Sequence, residues 1–364
     1  MSSERTNEIW ILGATGNVGR AIAARLVAEG VTGLVLIGRS EERLSTTFAD
    51  LAGSVTLKRL ASFGDMLAAV RSERPRVVVN LIGSYAETAV PLAEACMPGG
   101  SYVDLSIDNS TLASLVDLDH DARAADSIVI GGAGFGVLAT EALVVRLCAG
   151  RPTPTRVQID ALSSYAPEEG VVGEAFAVTS VDVMTIGGRV YRNGVLTPVP
   201  LGSNLRTHKL PDGTTVKSAA VPSGELFAAR QASGAPNIDF TSALAPTATL
   251  IRATLPLMSR LLKLPSMRRM MIRQMAAAKT KKAPRPRPFS WGHAVVDWSD
   301  GTTREAWLRA EDAMDYTADV LVAVVHRFQA GTAPRGAFTP AAAFGPEIAT
   351  EAGATFVDVG AAVA

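Results

Sequence analysis

Residues 8–19 read Glu-Ile-Trp-Ile-Leu-Gly-Ala-Thr-Gly-Asn-Val-Gly, a short apolar run closed by glycine and followed at once by a helical pattern. Over residues 17–28 the apolar positions Val18, Ile22, Ala23, Leu26 and Val27 recur at helical spacing. The order is strand, tight turn, helix. The turn holds Gly13-Ala14-Thr15-Gly16-Asn17-Val18-Gly19, a GxxGxxG variant in which each glycine has its own task. Gly13 permits the turn, Gly16 lets a pyrophosphate approach backbone with no Cβ between, and Gly19 lets the helix lie close on the sheet. Free amides at the helix start and the positive end of its dipole suit phosphate. The motif predicts a dinucleotide-phosphate turn; the alternative is a glycine-rich turn of the same architecture that holds no dinucleotide.

Outward from this turn the unit repeats. Leu34–Ile37 predicts a second strand, and residues 41–52 a helix that Ser40 can cap, with Glu41 and Glu42 in its first turn. Strands are expected at Val55–Leu57, Val77–Ile82, Tyr102–Leu105 and Ser127–Ile130, with helices at Phe63–Val70, Glu87–Ala95 and Asn109–Ala125. Strands that are apolar throughout and alternate with helices require a parallel sheet covered on both faces. Residues 1–150 therefore read as an α/β, doubly wound Rossmann domain.

A glycine-rich segment, 131–136, leads into an apolar helix over 138–148, and the prolines of residues 151–155 mark a boundary. Strand patterns then fall at 156–162, 189–199, 293–298 and 302–307, with Asp-Gly turns at 212–213 and 300–301. Residues 151–310 predict a second α+β lobe with a mostly antiparallel sheet. Asp312–Gln329 is a long amphipathic helix, and residues 311–364 are expected to pack back on the first domain.

At 364 residues the chain has the length of two domains, and 48% hydrophobic residues suffice for large cores. Thirty-five basic against thirty-five acidic residues create no overall field for nucleic acid, so no nucleic-acid partner is expected. Cys96 and Cys148 lie in apolar helical stretches with neither CxxC spacing nor a His/Cys cluster, so reduced core thiols are expected and no metal. The polar start MSSERTNE has the pattern of neither a signal nor a transit peptide, which places the chain in the cytoplasm as an expectation. No uninterrupted apolar run is long enough to span a bilayer.

Position 39 separates the two nicotinamide cofactors. Dinucleotide domains that take NAD commonly carry an acid at the end of the second strand, whereas here Gly38-Arg39-Ser40 offers a guanidinium and a hydroxyl to a 2′-phosphate. That predicts NADP(H); a solvated surface arginine is the bland alternative. Asn80-Leu81-Ile82-Gly83-Ser84-Tyr85 ends the fourth strand, where open α/β sheets bind ligands, and should border the nicotinamide half. Tyr85 has the transferable proton there, or else simply packs. Neither Tyr85 nor Tyr102 has a lysine four positions on, so the Tyr-x-x-x-Lys pair is absent.

Three segments together resemble the saccharopine dehydrogenase-like (saccharopine reductase-like) family: GATGNVG, residues 77–106 (VVVNLIGSYAETAVPLAEACMPGGSYVDLS) and residues 131–143 (GGAGFGVLATEAL), with a weaker likeness at 336–347. The resemblance implies dinucleotide contacts at Gly13, Ala14, Thr15, Gly16, Asn17, Val18 and Gly19. It also implies adenosine-end contacts at Arg39 and Ser40, nicotinamide-side contacts at Leu81, Gly83 and Tyr85, and a cleft lined by Asp104 and Ser106. Gly83-Ser84-Tyr85 stands where the family commonly has Gly-Pro-Tyr.

The family includes imine-forming reductases of amino-acid metabolism and enoyl reductases acting in trans on lipid or polyketide chains. The first reading is an NADPH-dependent reductase that transfers hydride to a C=C bond of a hydrophobic or carrier-bound acyl substrate. The alternatives are a saccharopine-like C=N reductase and a non-catalytic NADP(H)-binding regulator. In the second lobe Tyr165, Glu168 and Glu169 could face the cofactor, with Tyr165 as proton donor, or form a plain surface loop. Residues 260–287 carry ten bases and no acid among leucines and methionines. They could dock an acidic acyl carrier protein, lie on a membrane surface, close over a greasy substrate, or present a solvated face. His120, His208, His293 and His326 have no partner motif and read as structural. The oligomeric state is open, a homodimer included.

Overall fold

The computed structural model describes residues 5–167, 169–171 and 174–358. The chain forms two compact units, one of residues up to Phe135 with Met314–Gly353, the other of Gly136–Ala313 with residues from Ala354 on. Two differences from the sequence-based boundaries follow: the helix Phe135–Cys148 falls almost wholly in the second unit, and the strand Thr355–Asp358 joins the second unit's sheet.

The first unit alternates β1 (Ile9–Leu12), α1 (Asn17–Ala28), β2 (Leu34–Gly38), α2 (Glu41–Thr47), β3 (Thr56–Arg59), α3 (Phe63–Glu73), β4 (Val77–Asn80), α4 (Tyr85–Cys96), β5 (Ser101–Asp104), α5 (Asn109–Val116), α6 (Asp119–Ala124) and β6 (Ile128–Ile130). The sheet order is β6-β5-β4-β1-β2-β3, all parallel, with Gly336–Phe338 added parallel beside β6. Every residue of β1, β2, β4, β5 and β6 is buried, as a sheet covered on both faces requires. Trp10, Ile37, Val78, Leu92, Tyr102 and Val129 share one core layer.

Local chemistry sets the helix ends. Ser62 and Asp65 form a reciprocal capping box on α3, with Asp65 N to Ser62 Oγ at 3.1 Å and Ser62 N to Asp65 Oδ2 at 3.0 Å. The single helix expected over 109–125 is two, broken at Asp117-Leu118.

The second unit holds a seven-stranded sheet ordered Val195–Val199, Gly188–Arg192, Asn237–Ser242, Arg156–Leu162, Ser290–Asp297, Thr303–Ala310, Thr355–Asp358. All its pairs are antiparallel except that between Asn237–Ser242 and Arg156–Leu162. Asp-Gly 212–213 turns a separate hairpin, Arg206–Lys209 with Thr215–Ser218. Among the described residues no helix is long and apolar enough to cross a membrane.

Candidate active site

The chain order of the first sheet reverses between β1 and β4, so a crevice opens beyond their carboxyl ends. The glycine turn sits there. Gly13 has φ +79°, and a Cβ on it would lie 2.7 Å from the Leu81 carbonyl oxygen; a Cβ on Gly19 would lie 2.4 Å from that of Ala14. Gly13 and Ala14 donate their amides to Ile37 O at 3.0 and 3.1 Å, and Leu81 N reaches Leu12 O at 2.9 Å. The ends of β1, β2 and β4 are thereby tied together around the turn.

Gly16 caps α1 without a side-chain bond, and no acid stands in the first turn. The amides that open the helix therefore face no internal acceptor, and their dipole is not neutralised. Arg20, which the sequence reading passed over, reaches back to Thr15 O at 3.3 Å and Asn17 Oδ1 at 3.1 Å, adding a guanidinium to the turn. A GxxGxxG followed directly by arginine was the available signal.

Arg39 is exposed at the end of β2 and forms no ion pair among the described residues. Ser40 is committed locally: its hydroxyl accepts from Arg43 N at 3.3 Å and caps α2. Arg59, also exposed, ends β3 in register with Gly38 and brings a second cation to the same sheet end.

On the other side of the crevice a buried polar network fixes the β4–α4 loop. Asn80 donates to Tyr102 OH at 2.9 Å and Thr88 Oγ1 at 3.3 Å, and its oxygen accepts from Ile82 N. Tyr102 donates to Asp104 Oδ2 at 2.9 Å, while Asp104 Oδ1 accepts from Ser106 N, Ser106 Oγ and Gly132 N at 3.0, 2.7 and 3.0 Å. Asp104 and Ser106 are 0% exposed. They were expected to line the cleft, but they hold its wall from behind, joining the ends of β4, β5 and β6. Burial pushes the Asp104 carboxyl up, and these donors oppose the shift.

Leu81 and Gly83 follow β4, Gly83 with φ +73°. Ser84 takes φ +45°, which a proline ring, locked near about −65°, could not adopt. The loop thus departs from the Gly-Pro-Tyr pattern in backbone as well as in residue type. Tyr85 opens α4; burial, then the charge of Asp104, push its phenol well above the ordinary range, against a backbone hydrogen bond from Leu105. At neutral pH it is therefore a protonated, hydrogen-bonding phenol.

Tyr165 is half-buried in the second unit, in a segment anchored by Ser164 Oγ to Arg287 O (2.8 Å) and Ala166 N to Asp312 Oδ2 (2.8 Å). Glu169 is exposed, and Glu168 lies outside the described residues.

The second unit also assembles a cluster the sequence did not reveal. Strand register sets His293 beside Asp160 on one side and Trp307 on the other, and Asp160 beside Thr241. His293 Nδ1 meets Asp160 Oδ2 at 2.8 Å and its Nε2 meets Glu305 Oε1 at 3.0 Å, while its ring stacks on Trp307 with centroids 3.9 Å apart. His208 bonds Ser218 Oγ at 2.8 Å and lies 3.7 Å from Asp160. Ligand atoms of Asp160, His208 and His293 come within 4.8 Å of one another. Yet Arg206 already sits 2.8 Å from Asp160 Oδ1, and Thr241 donates to the same oxygen, so the cluster carries its own cation.

Burial alone would lower His293, but hydrogen bonds to Asp160 and Glu305 outweigh it and hold the imidazolium above its ordinary value. Asp160 and Glu305 are held low. Burial holds His208 below its ordinary value. The signs therefore differ. His293 stabilises fully below its unfolded value of about 6.5, and this is lost as pH rises through its raised folded value. Asp160 and Glu305 stabilise above the usual carboxylate range and lose this as pH falls; His208 likewise stabilises above about 6.5 and loses it in acid. His293→Gln is expected to lower stability by about 3 kcal/mol near pH 6 and by less near pH 9. Urea denaturation at both pH values checks this; a penalty that grows with pH would mean His293 is neutral when folded.

A doubly wound parallel sheet with a glycine turn at its switch point is the architecture of dinucleotide-binding domains. Over its length the chain has the fold of saccharopine dehydrogenase: the L-Glu-forming enzyme of Saccharomyces cerevisiae superposes with a TM-score of 0.60 at 11% identity, covering 97% of this chain and 100% of that one. A probable dehydrogenase from Thermotoga maritima covers 95% of this chain and 94% of its own at 11% identity and a TM-score of 0.43. Serine dehydrogenase from Escherichia coli covers 34% of this chain and 80% of its own at 16% identity and a TM-score of 0.28. No family model matches the chain, and no curated protein does.

Proposed function

We propose that the protein is an NADP(H)-dependent oxidoreductase that reduces a C=C bond of a hydrophobic or carrier-bound acyl substrate. The observation that carries the cofactor assignment is the uncapped, acid-free start of α1 behind a turn in which Gly13 and Gly19 leave no room for a Cβ and Gly16 leaves its backbone open to approach. The cradle fits a pyrophosphate: the first amides of α1 and the Arg20 guanidinium bind it, and Gly13 fixes the turn against Leu81. Arg39, with Arg59 on the neighbouring strand, supplies positive charge for a 2′-phosphate where an acid would favour the unphosphorylated ribose. When bound, the nicotinamide would supply hydride. The Asp104 network holds the Leu81–Gly83 loop that would border the ring, and Tyr85 hydrogen-bonds there as a protonated phenol. Tyr165 is the second candidate phenol, assigned to proton donation.

The acyl reading rests on the second unit's arginines. Arg156 and Arg192 are both engaged by buried Asp239, Arg206 by Asp160, and Arg287 by the carbonyls of Leu162 and Ser163. These four guanidiniums are already engaged and are not free to take the several carboxylates of a saccharopine-type adduct, which is why C=N reduction stands second.

Titration with NADPH and NADH, in wild type and Arg39→Ala, tests the cofactor assignment through tryptophan-to-nicotinamide energy transfer. Loss of one charge-assisted contact should weaken NADPH about tenfold to a hundredfold and leave NADH nearly unchanged. Equal weakening of both, or of neither, removes the NADP assignment. Turnover with enoyl thioesters but not cyclic imines would separate the substrate classes.

A further inference from the structure

The longest stretch of the chain without an acid runs from Phe240 to Val296, between Asp239 and Asp297, and it holds eleven lysines and arginines. Within it the helices Thr249–Leu261 and Pro265–Ala277 both pack on the helix Glu174–Ile186. The first helix is seated by Leu255 and by Ser259 Oγ on Thr185 O at 3.2 Å, and Leu262 beyond its end is buried too. Its other face is also apolar. Leu250 is 80% exposed and Leu257 61%; Leu261 and Leu264 continue the row, and Met267 and Met270 extend it onto the second helix. A helix that is apolar on both faces needs a cover on both.

Cations border this row. Arg260, Lys263, Arg269, Arg273, Lys281 and Lys282 are exposed and form no ion pair among the described residues. Others nearby are already used: Arg268 pairs with Asp182 at 2.6 Å and Arg285 with Glu311 at 3.2 Å.

We propose that the leucine row from Leu250 to Leu264, with its border of unpaired cations, is a membrane-surface docking face that seats the protein on an anionic lipid bilayer. A helix lying in the headgroup plane buries a stripe of aliphatic side chains while basic side chains meet lipid phosphates. The observed shape is a stripe along two consecutive helices, not a patch with a centre. Protein hot spots are built on Trp and Tyr as well as Arg, and residues 241–288 contain no aromatic side chain. Charge and shape together favour lipid over an acidic protein. The face would bring the enzyme to substrates that partition into bilayers, whatever bond it reduces.

Sedimentation of the full chain with phosphatidylcholine vesicles, with and without about a third phosphatidylglycerol, tests this. Wild type should pellet with the anionic vesicles, far less with neutral ones, and be released by high salt. The triple variant Leu250→Gln, Leu257→Gln, Leu261→Gln should bind at least about tenfold more weakly at an unchanged thermal midpoint, since these side chains are exposed. Charge reversal of Arg260, Lys263, Arg269 and Arg273 should also release it. The proposal is overturned if wild type ignores both vesicles, if both variants bind as wild type does, or if an acidic carrier protein is captured while the vesicles are not.

Discussion

Alanine at Gly16 is expected to leave the fold intact and abolish tight nucleotide binding, whereas alanine at Gly13 or Gly19 should damage both. The difference lies in what each added Cβ meets. At Gly16 the nearest atom is Gly13 O at 3.4 Å, ordinary van der Waals contact, so the new methyl costs the fold little, yet it would stand where a pyrophosphate is proposed to approach the backbone. At Gly13 and Gly19 the methyl overlaps backbone carbonyls, which no side-chain rotation can relieve, and Gly13 also has a left-handed φ. Left-handed strain of about 1–2 kcal/mol adds there to an overlap cost of about 1–3 kcal/mol. NADPH affinity should fall about a hundredfold or more in all three, with thermal midpoints lowered only for Gly13→Ala and Gly19→Ala. Unimpaired binding by Gly16→Ala would show that phosphates do not use this turn.

Asp104→Ala should be the most destabilising single change in the first unit, by about 3–5 kcal/mol. It strands Tyr102 OH, Ser106 N, Ser106 Oγ and Gly132 N in a site with no access to water. Asp104→Asn keeps one acceptor oxygen and should lose roughly half as much. Because the folded carboxyl is raised, its contribution is full below the unfolded value and declines as pH rises through the folded one. Urea unfolding of both variants measures this. A loss below about 1 kcal/mol for the alanine variant would mean that water reaches the network.

The first unit was legible because its strands are uninterrupted apolar runs and its glycines are forced by backbone contacts. The glycine turn was legible for the same reason, since Gly13 and Gly19 leave a spacing that needs no tertiary knowledge. Asp104 and Ser106 were singled out, but their depth was not visible: a carboxylate behind a cleft and one in it look alike as letters. Asn237–Ser242 was missed because its alternation carries Asp239 and Thr241, which a strand reading assigns to solvent. Both are buried, Asp239 satisfied by Arg156 and Arg192, and Thr241 by Asp160. The His208–His293–Asp160 cluster depends on strand register across distant segments, which sequence spacing does not encode.

The strand Gly336–Phe338 lies on the outer edge of the first sheet, beside β6. A ribosome delivers it only after Gly136–Ala313, the greater part of the second unit, has been made, and before that unit's last strand, Thr355–Asp358. Until then a nascent chain displays β6 with an open row of N–H and C=O groups, the kind of edge that recruits other strands. Synthesis of the two units is therefore interleaved rather than successive, and the interval between translating β6 and translating Gly336 is the period in which the newborn chain is most in need of a chaperone.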